Sequence, residues 1–164
     1  MYKLLLSRSL VRRYMLLQLD LTQWQPHLRL KKQGAITYVW DTIRRKYLVL
    51  QPEELVRQLL ILHLTHALGY SIHRIQVEQV LKVAGRTRRF DILVLDKALQ
   101  PYLLIECKAP NIPLDQSTLD QASAYNYAIK APFLLATNGL HAYVCAIDFE
   151  DKKFTFLAEI PAAQ

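Results

Sequence analysis

The seven residues Tyr102 to Lys108, Tyr-Leu-Leu-Ile-Glu-Cys-Lys, constrain the fold of this chain more than any other stretch. The run has strand length and is apolar almost throughout, as suits a central strand covered on both faces. Side chains alternate along a strand, so Glu106 and Lys108 share one face while Cys107 points the other way, towards a covering helix. A charged pair at the end of a buried strand is costly unless something compensates it. Asp91 interrupts the preceding apolar run in the same way, with Phe90 before it and Ile92 to Leu95 after it. Two neighbouring strands joined by a short turn over Asp96 to Pro101 would bring Asp91, Glu106 and Lys108 together.

The rest of the chain supplies elements to cover such a strand. Residues 36–49 are rich in β-branched and aromatic side chains and predict a strand or hairpin on a sheet edge. Gln51-Pro52-Glu53-Glu54 opens a helix, since Pro suits the first turn and acids suit its positive end. Leu55, Val56, Leu59, Leu60 and Leu62 continue it at helical spacing until Gly69 stops it. Residues 71–83 and 89–95 read as strands around a turn near Gly85, and 102–108 as a third strand. A helix over 115–130, a fourth strand Phe133 to Thr137, the turn Asn138-Gly139 and strands over 141–148 and 153–158 follow. The α-β-β-β-α-β order indicates an α/β fold, a mixed central β-sheet flanked by helices. The expected division is a partly irregular extension over 1–35 and one domain over 36–164.

With 164 residues the chain can bury a sizeable core. Its two cysteines, Cys107 and Cys145, offer no disulfide framework, and a reducing cytosol fits them. No apolar run approaches the ~18 residues of a membrane span. The net charge of +7 invites a polyanionic partner. Lys3, Arg8, Arg12 and Arg13 supply four of those charges, however, and the remaining +3 is weak evidence for nucleic acid. Two readings of residues 1–14 stand: a weak targeting helix, or an upstream extension with Met15 as the natural start.

The chemistry follows from the carboxylates. Asp91 and Glu106 side by side repel, and one tends to protonate. A hard divalent cation with retained waters relieves this. Such a metal lowers the pKa of its water and offsets charge building on a phosphate, while Lys108 adds a cation that is not a ligand. The combination suits phosphodiester hydrolysis. No Ser or Cys nucleophile with a nearby His is readable. His63 and His66 read as core or surface residues, because no third zinc ligand is evident.

Five motifs then stand in order: Pro52-Glu53-Glu54-Leu55-Val56-Arg57-Gln58; Arg89-Phe90-Asp91; Ile105-Glu106-Cys107-Lys108-Ala109-Pro110; Gln121-Ala122-Ser123-Ala124-Tyr125; and Thr137-Asn138-Gly139. Over about residues 36–150 the chain resembles the PD-(D/E)XK nuclease superfamily, and within it the N-terminal nuclease domain of type I restriction enzyme R subunits. The resemblance implies a restriction-endonuclease-like core in which Asp91 and Glu106 ligate Mg²⁺, with Mn²⁺ as substitute. It implies a further ligand from the backbone carbonyl of Cys107, and Lys108 as the catalytic lysine. An acid on the first helix supports such sites, and Glu54 is the choice over Glu53. Gln121 and Tyr125 match a Q-x-x-x-Y pair that helps engage DNA, and Arg89 would face phosphate. The 164 residues contain no G-x-x-x-x-G-K-[ST] loop, hence no ATP site for a motor. Separate motor or specificity subunits, or a homodimer for double-strand cleavage, are the partners this implies.

Two blander readings compete with the nuclease. One is a non-catalytic module that keeps the fold and binds nucleic acid or a partner. The other is a scaffold whose charges only fix strand register.

Overall fold

A computed structural model describes residues 16–83 and 85–164. The expectations about Met15 and the basic arm at Arg8, Arg12 and Arg13 lie outside the described residues. The described chain opens with β1 (Leu17–Gln18) and a 3-10 helix over Thr22–His27. Three strands follow, β2 (Leu30–Gln33), β3 (Ile36–Asp41) and β4 (Lys46–Val49), which form an antiparallel sheet of their own. The boundary expected between 35 and 36 falls inside the β2–β3 hairpin, where Gly34 takes φ +60. Within 16–35, Leu17–Gln18 and Leu30–Gln33 pair as strands on either side of the 3-10 helix.

Helix α1 (Pro52–Leu62) begins with Pro52 in its first turn and Glu53 and Glu54 beside its positive end, as expected. It runs on into a π-helical turn over His63–Ala67, and Gly69 ends it at φ +72. Strands β5 (Ile75–Val77) and β6 (Val80–Val83) divide the single strand expected over 71–83. Likewise β7 (Arg86–Arg89) and β8 (Ile92–Leu95) divide the run over 89–95, and Asp91 sits at the bend between them. β6 and β7 pair as a separate ribbon. Beyond them come β9 (Pro101–Cys107), α2 (Gln116–Ile129), β10 (Phe133–Thr137), β11 (His141–Asp148) and β12 (Lys153–Phe156).

The central sheet has the order β1-β11-β10-β9-β8-β5, with β12 also on β11. β9 and β10 are parallel and every other pairing in it is antiparallel, so α2 serves as the crossover that a parallel pair requires. Along the elements of this sheet the order α1-β5-β8-β9-α2-β10 matches the expected α-β-β-β-α-β. Alternation sorts β9: Leu103, Ile105 and Cys107 join the core under α1, with Val56, Leu59 and Leu60. Leu104 packs instead with Phe90, Leu93 and Ala122 on the side of α2. Glu106 shares the parity of Leu104 and so faces α2. Among the described residues no helix is long and apolar enough to cross a membrane.

Candidate active site

The end of β9 is where both faces of the sheet meet charge. β8 pairs with β9 up to Ile92 opposite Ile105, and then bends away. The N–H of Cys107, left without a strand partner on that side, donates to Oδ2 of Asp91 at 2.6 Å. The bend at Asp91 thus replaces one backbone pairing with a carboxylate, and fixes that carboxylate beside Glu106. Lys108 follows immediately after β9, its N–H donating to the carbonyl of Thr137 at 2.8 Å. Its Nζ lies 2.8 Å from Oε1 of Glu106.

Helix α2 closes the other side. Asp115 caps it, accepting from Thr118 N–H at 3.2 Å and from the Ser117 hydroxyl at 2.6 Å. Gln121 then projects to the strand end. Its Nε2 donates to Oε1 of Glu106 at 2.7 Å, and its Oε1 accepts from Lys108 Nζ at 3.1 Å. One amide therefore ties the carboxylate and the ammonium together. Tyr125 lies one turn further along α2, and its side chain falls outside the described residues.

Electrostatics distinguishes the two charged partners. Glu106 is 5% exposed, and burial together with the charge of Asp91 pushes its carboxyl up to about 7. The side chain of Lys108 is 21% exposed; burial pulls its ammonium down, but the hydrogen bond and charge of Glu106 outweigh that and leave it raised. At Glu106, burial and the charge of Asp91 thus outweigh the neighbouring ammonium of Lys108.

Asp91 and Glu106 offer carboxylate oxygens of the kind a hard cation takes. Among the described residues no three His, Cys, Asp or Glu side chains gather as a metal cage. The donor set fits a cation that keeps most of its own water, as Mg²⁺ does, and does not fit a zinc cage.

The first turn of α1 brings a second set of charges, and here the two acids part. Glu54 accepts from Arg44 Nη2 at 2.9 and 3.1 Å, from Gln58 Nε2 at 2.8 Å, and from Arg57 Nη1. Arg44 and Gln58 also reach Asp41, at 2.6 and 3.0 Å. Glu54, the acid expected to support the site, is therefore built into a network that faces the β3–β4 turn. Glu53 is the one raised in pKa, by burial and by the charge of Asp91.

Arg57, which the sequence shows only as part of the Pro52 to Gln58 motif, links the two sets. It is 4% exposed, and its Nη2 lies 2.8 Å from Oδ1 of Asp91, 2.8 Å from Glu78 and 3.4 Å from Glu53. The signal was its helical position: Arg57 falls one turn after Glu53 and Glu54, inside the buried stripe of α1. Arg89 is 63% exposed on its side chain, with Nε 2.7 Å from Glu78. It lines a cavity of about 350 Å³ with Arg44, Val49, Glu53, Arg57 and Glu78.

With that geometry in hand, the sequence profile of the family described as type I restriction enzyme R protein N terminus matches residues 52–161. A solved fragment described as an HsdR subunit of a type I restriction enzyme from Vibrio vulnificus aligns with a TM-score of 0.49 and 18% identity. That alignment covers 68% of this chain and 24% of the solved one. No curated protein matches.

Proposed function

For a chain that belongs to the type I restriction enzyme R protein N-terminal family, we infer that the site at Asp91, Glu106 and Lys108 hydrolyses nucleic-acid phosphodiester bonds, with DNA as the substrate and Mg²⁺ as the cofactor. One observation carries this reading. Two buried carboxylates, Asp91 at the bend before β8 and Glu106 near the end of β9, stand at a sheet end with a lysine fixed beside Glu106.

A divalent cation bound between Asp91 and Glu106, with the Cys107 carbonyl as a further ligand and Mn²⁺ as a substitute, would acidify a water and offset charge on the phosphate. The chain's own groups do the positioning. The amide of Cys107 and the guanidinium of Arg57 each hold one oxygen of Asp91, which fixes its direction. Gln121 holds Glu106 and Lys108 in register. The ammonium of Lys108, partly open to solvent, can orient the attacking water or meet charge that develops on the phosphoryl oxygens. Arg89, exposed and in the lining of the neighbouring cavity, is the residue that would face phosphate.

Double-strand cleavage by single sites requires two chains, so this reading calls for a homodimer there; separate motor or specificity subunits are the other partners it allows. The test is Mg²⁺-dependent cleavage of DNA followed on a gel. Product bearing a 5′-phosphate, lost in Asp91→Ala and in Lys108→Ala, supports the roles; cleavage unchanged in both variants removes them.

A second reading has an observation behind it. Both oxygens of Asp91 already have partners in Arg57 and Cys107. That suits a module that keeps the fold without catalysis. Calorimetry separates the two: no heat with Mg²⁺ or Mn²⁺, together with salt-dependent DNA binding, favours the module.

A further inference from the structure

The sheet of β2, β3 and β4 lies ahead of the family match at 52–161. It meets the site described above through Asp41, bound to Arg44 and Gln58, and through Val49 in the cavity lining. Directly opposed residues of antiparallel strands share a face. Lys31 opposes Tyr38, which opposes Val49. Trp40 opposes Tyr47 on one side, and on the other its N–H donates to the carbonyl of Arg29. One face therefore presents Arg29, Lys31, Tyr38, Trp40, Tyr47 and Val49. The opposite face holds fully buried Val39 and Asp41.

The presented face is aromatic and cationic, with Tyr38 and Trp40 half-buried and its β4 edge exposed. Tyr47 is 39% exposed and Val49 42%. The Arg29 guanidinium lies 5.1 Å from the Trp40 ring, and the Lys31 ammonium 5.8 Å from that of Tyr47. The rings of Trp40 and Tyr47 meet edge to face at 5.1 Å. Aromatic rings and positive charge thus already contact one another on one face of the sheet.

Charge points to the occupant. Residues 29–49 contain six cations, Arg29, Lys31, Lys32, Arg44, Arg45 and Lys46, against the single acid Asp41, a surplus of five. Residues 1–14 hold four more cations and no acid, so the remainder of this +7 chain is net negative by two. Asp41 is buried and bound to Arg44, which leaves the presented face without a carboxylate. Of the six cations Arg29 and Lys31 lie on the presented face, Lys32 and Lys46 fall on the opposite one, and Arg44 and Arg45 stand in the β3–β4 turn. The cavity lined by Val49 also includes Glu53 and Arg57.

We propose that this face binds an unpaired nucleic-acid strand, its bases stacking on Trp40 and Tyr47 and its phosphates meeting Arg29 and Lys31. Stacking on aromatic side chains tolerates any base, and it needs bases freed from a duplex. The surface does not depend on the nuclease reading, since binding is measured with no metal present.

The test uses the full chain in EDTA, with a fluorescently labelled 20-nucleotide oligothymidine, the matching duplex, and polyglutamate of equal charge as probes. Oligothymidine should bind at least tenfold more tightly than the duplex at equal salt. Tyr47→Ala, and separately Trp40→Ala, should each weaken it about tenfold and leave the salt slope unchanged. Lys31→Ala should lower that slope by about 0.7, as loss of one phosphate contact on a single strand predicts. Because Trp40→Ala risks the fold, the exposed Tyr47→Ala and Arg29→Ala are measured beside it with circular dichroism as the folding check. Equal affinity for the duplex, unaltered binding by folded Tyr47→Ala and Arg29→Ala, or polyglutamate binding as tightly as oligothymidine would each overturn the proposal.

Discussion

Arg57 Nη2 donates to Oδ1 of Asp91 at 2.8 Å across 34 residues of sequence. The same guanidinium reaches Glu78 at 2.8 Å and binds Glu54. Burial disfavours its charge, yet the charges of Asp91 and Glu54 outweigh that and hold its pKa above the ordinary value. Taking the cation away would leave several buried carboxylates facing one another. Arg57→Met is expected to cost about 3–5 kcal/mol, as removal of one partner from a buried ion pair does. Arg57→Lys should recover only part of this, because an ammonium cannot span the same fork of partners. Urea melts at pH 7 measure both; an undiminished midpoint for Arg57→Met would mean that the network relaxes around the gap.

Gln121 contributes on the other side of the strand end, where its amide is exposed and carries little of the fold. It accepts from Lys108 and donates to Glu106. Gln121→Ala should therefore lower Mg²⁺-dependent cleavage about tenfold, roughly the 1.4 kcal/mol of one charge-assisted hydrogen bond. Stability should stay within about 0.5 kcal/mol of the parent, as for most surface substitutions. Single-turnover rates and melting curves on one preparation separate the effects. A rate that falls only in step with stability would make Gln121 structural.

Much of this was legible in the chain itself, and for identifiable reasons. The continuous apolar run of β9 showed that it is central, and its period of two placed Cys107 in the core and Glu106 opposite. Pro52 with its acids marked the start of α1, and the Pro and Gly punctuation bounded most other elements. The bend at Asp91 was not legible, because Arg89 to Leu95 has the pattern of one strand. What breaks it is a side chain taking over the partner of the Cys107 amide, a tertiary event. The role of Arg57 depends on Glu78, which is brought to it by the chain between β5 and β6. Total charge likewise hid the basic sheet, since a surplus over 29–49 is diluted by acids elsewhere.

Gly139 tests how tightly the β10–β11 turn is set against α1. It has φ +86, and an added Cβ would lie 3.1 Å from Cγ2 of Val56. Asn138 Oδ1 accepts from the N–H groups of Leu140 and His141 at 3.1 and 3.0 Å, so the turn has little freedom to yield. Gly139→Ala is expected to destabilise by about 1–2 kcal/mol, from positive φ and crowding together. Adding Val56→Ala should remove the crowding and leave the φ cost. A double-mutant cycle on urea midpoints reads the coupling; strict additivity would show that the turn shifts away from the helix.

His63 sets a pH dependence that is independent of the carboxylate site. Its Nδ1 accepts from Trp24 Nε1 at 3.2 Å, which only the neutral ring can do. Burial lowers its pKa below the ordinary 6.5. Trp24 stacks in turn on His66 at 5.6 Å, and His66 on His27 at 6.2 Å, so imidazoles from the 3-10 helix and from the end of α1 share one cluster. The sign follows from proton uptake. As pH falls below 6.5 the unfolded chain takes a proton at position 63 before the folded chain does, which favours unfolding. This part of the stability is complete above 6.5 and is lost as pH drops from there through the lowered folded value. His63→Gln keeps an acceptor for Trp24 and has nothing to titrate. The difference in urea midpoint between parent and variant should therefore be constant above pH 7 and move in favour of the variant as pH falls to 5. Carboxylates common to both chains cancel in that difference, so parallel profiles across the range would show that the Trp24–His63 contact does not hold the ring neutral.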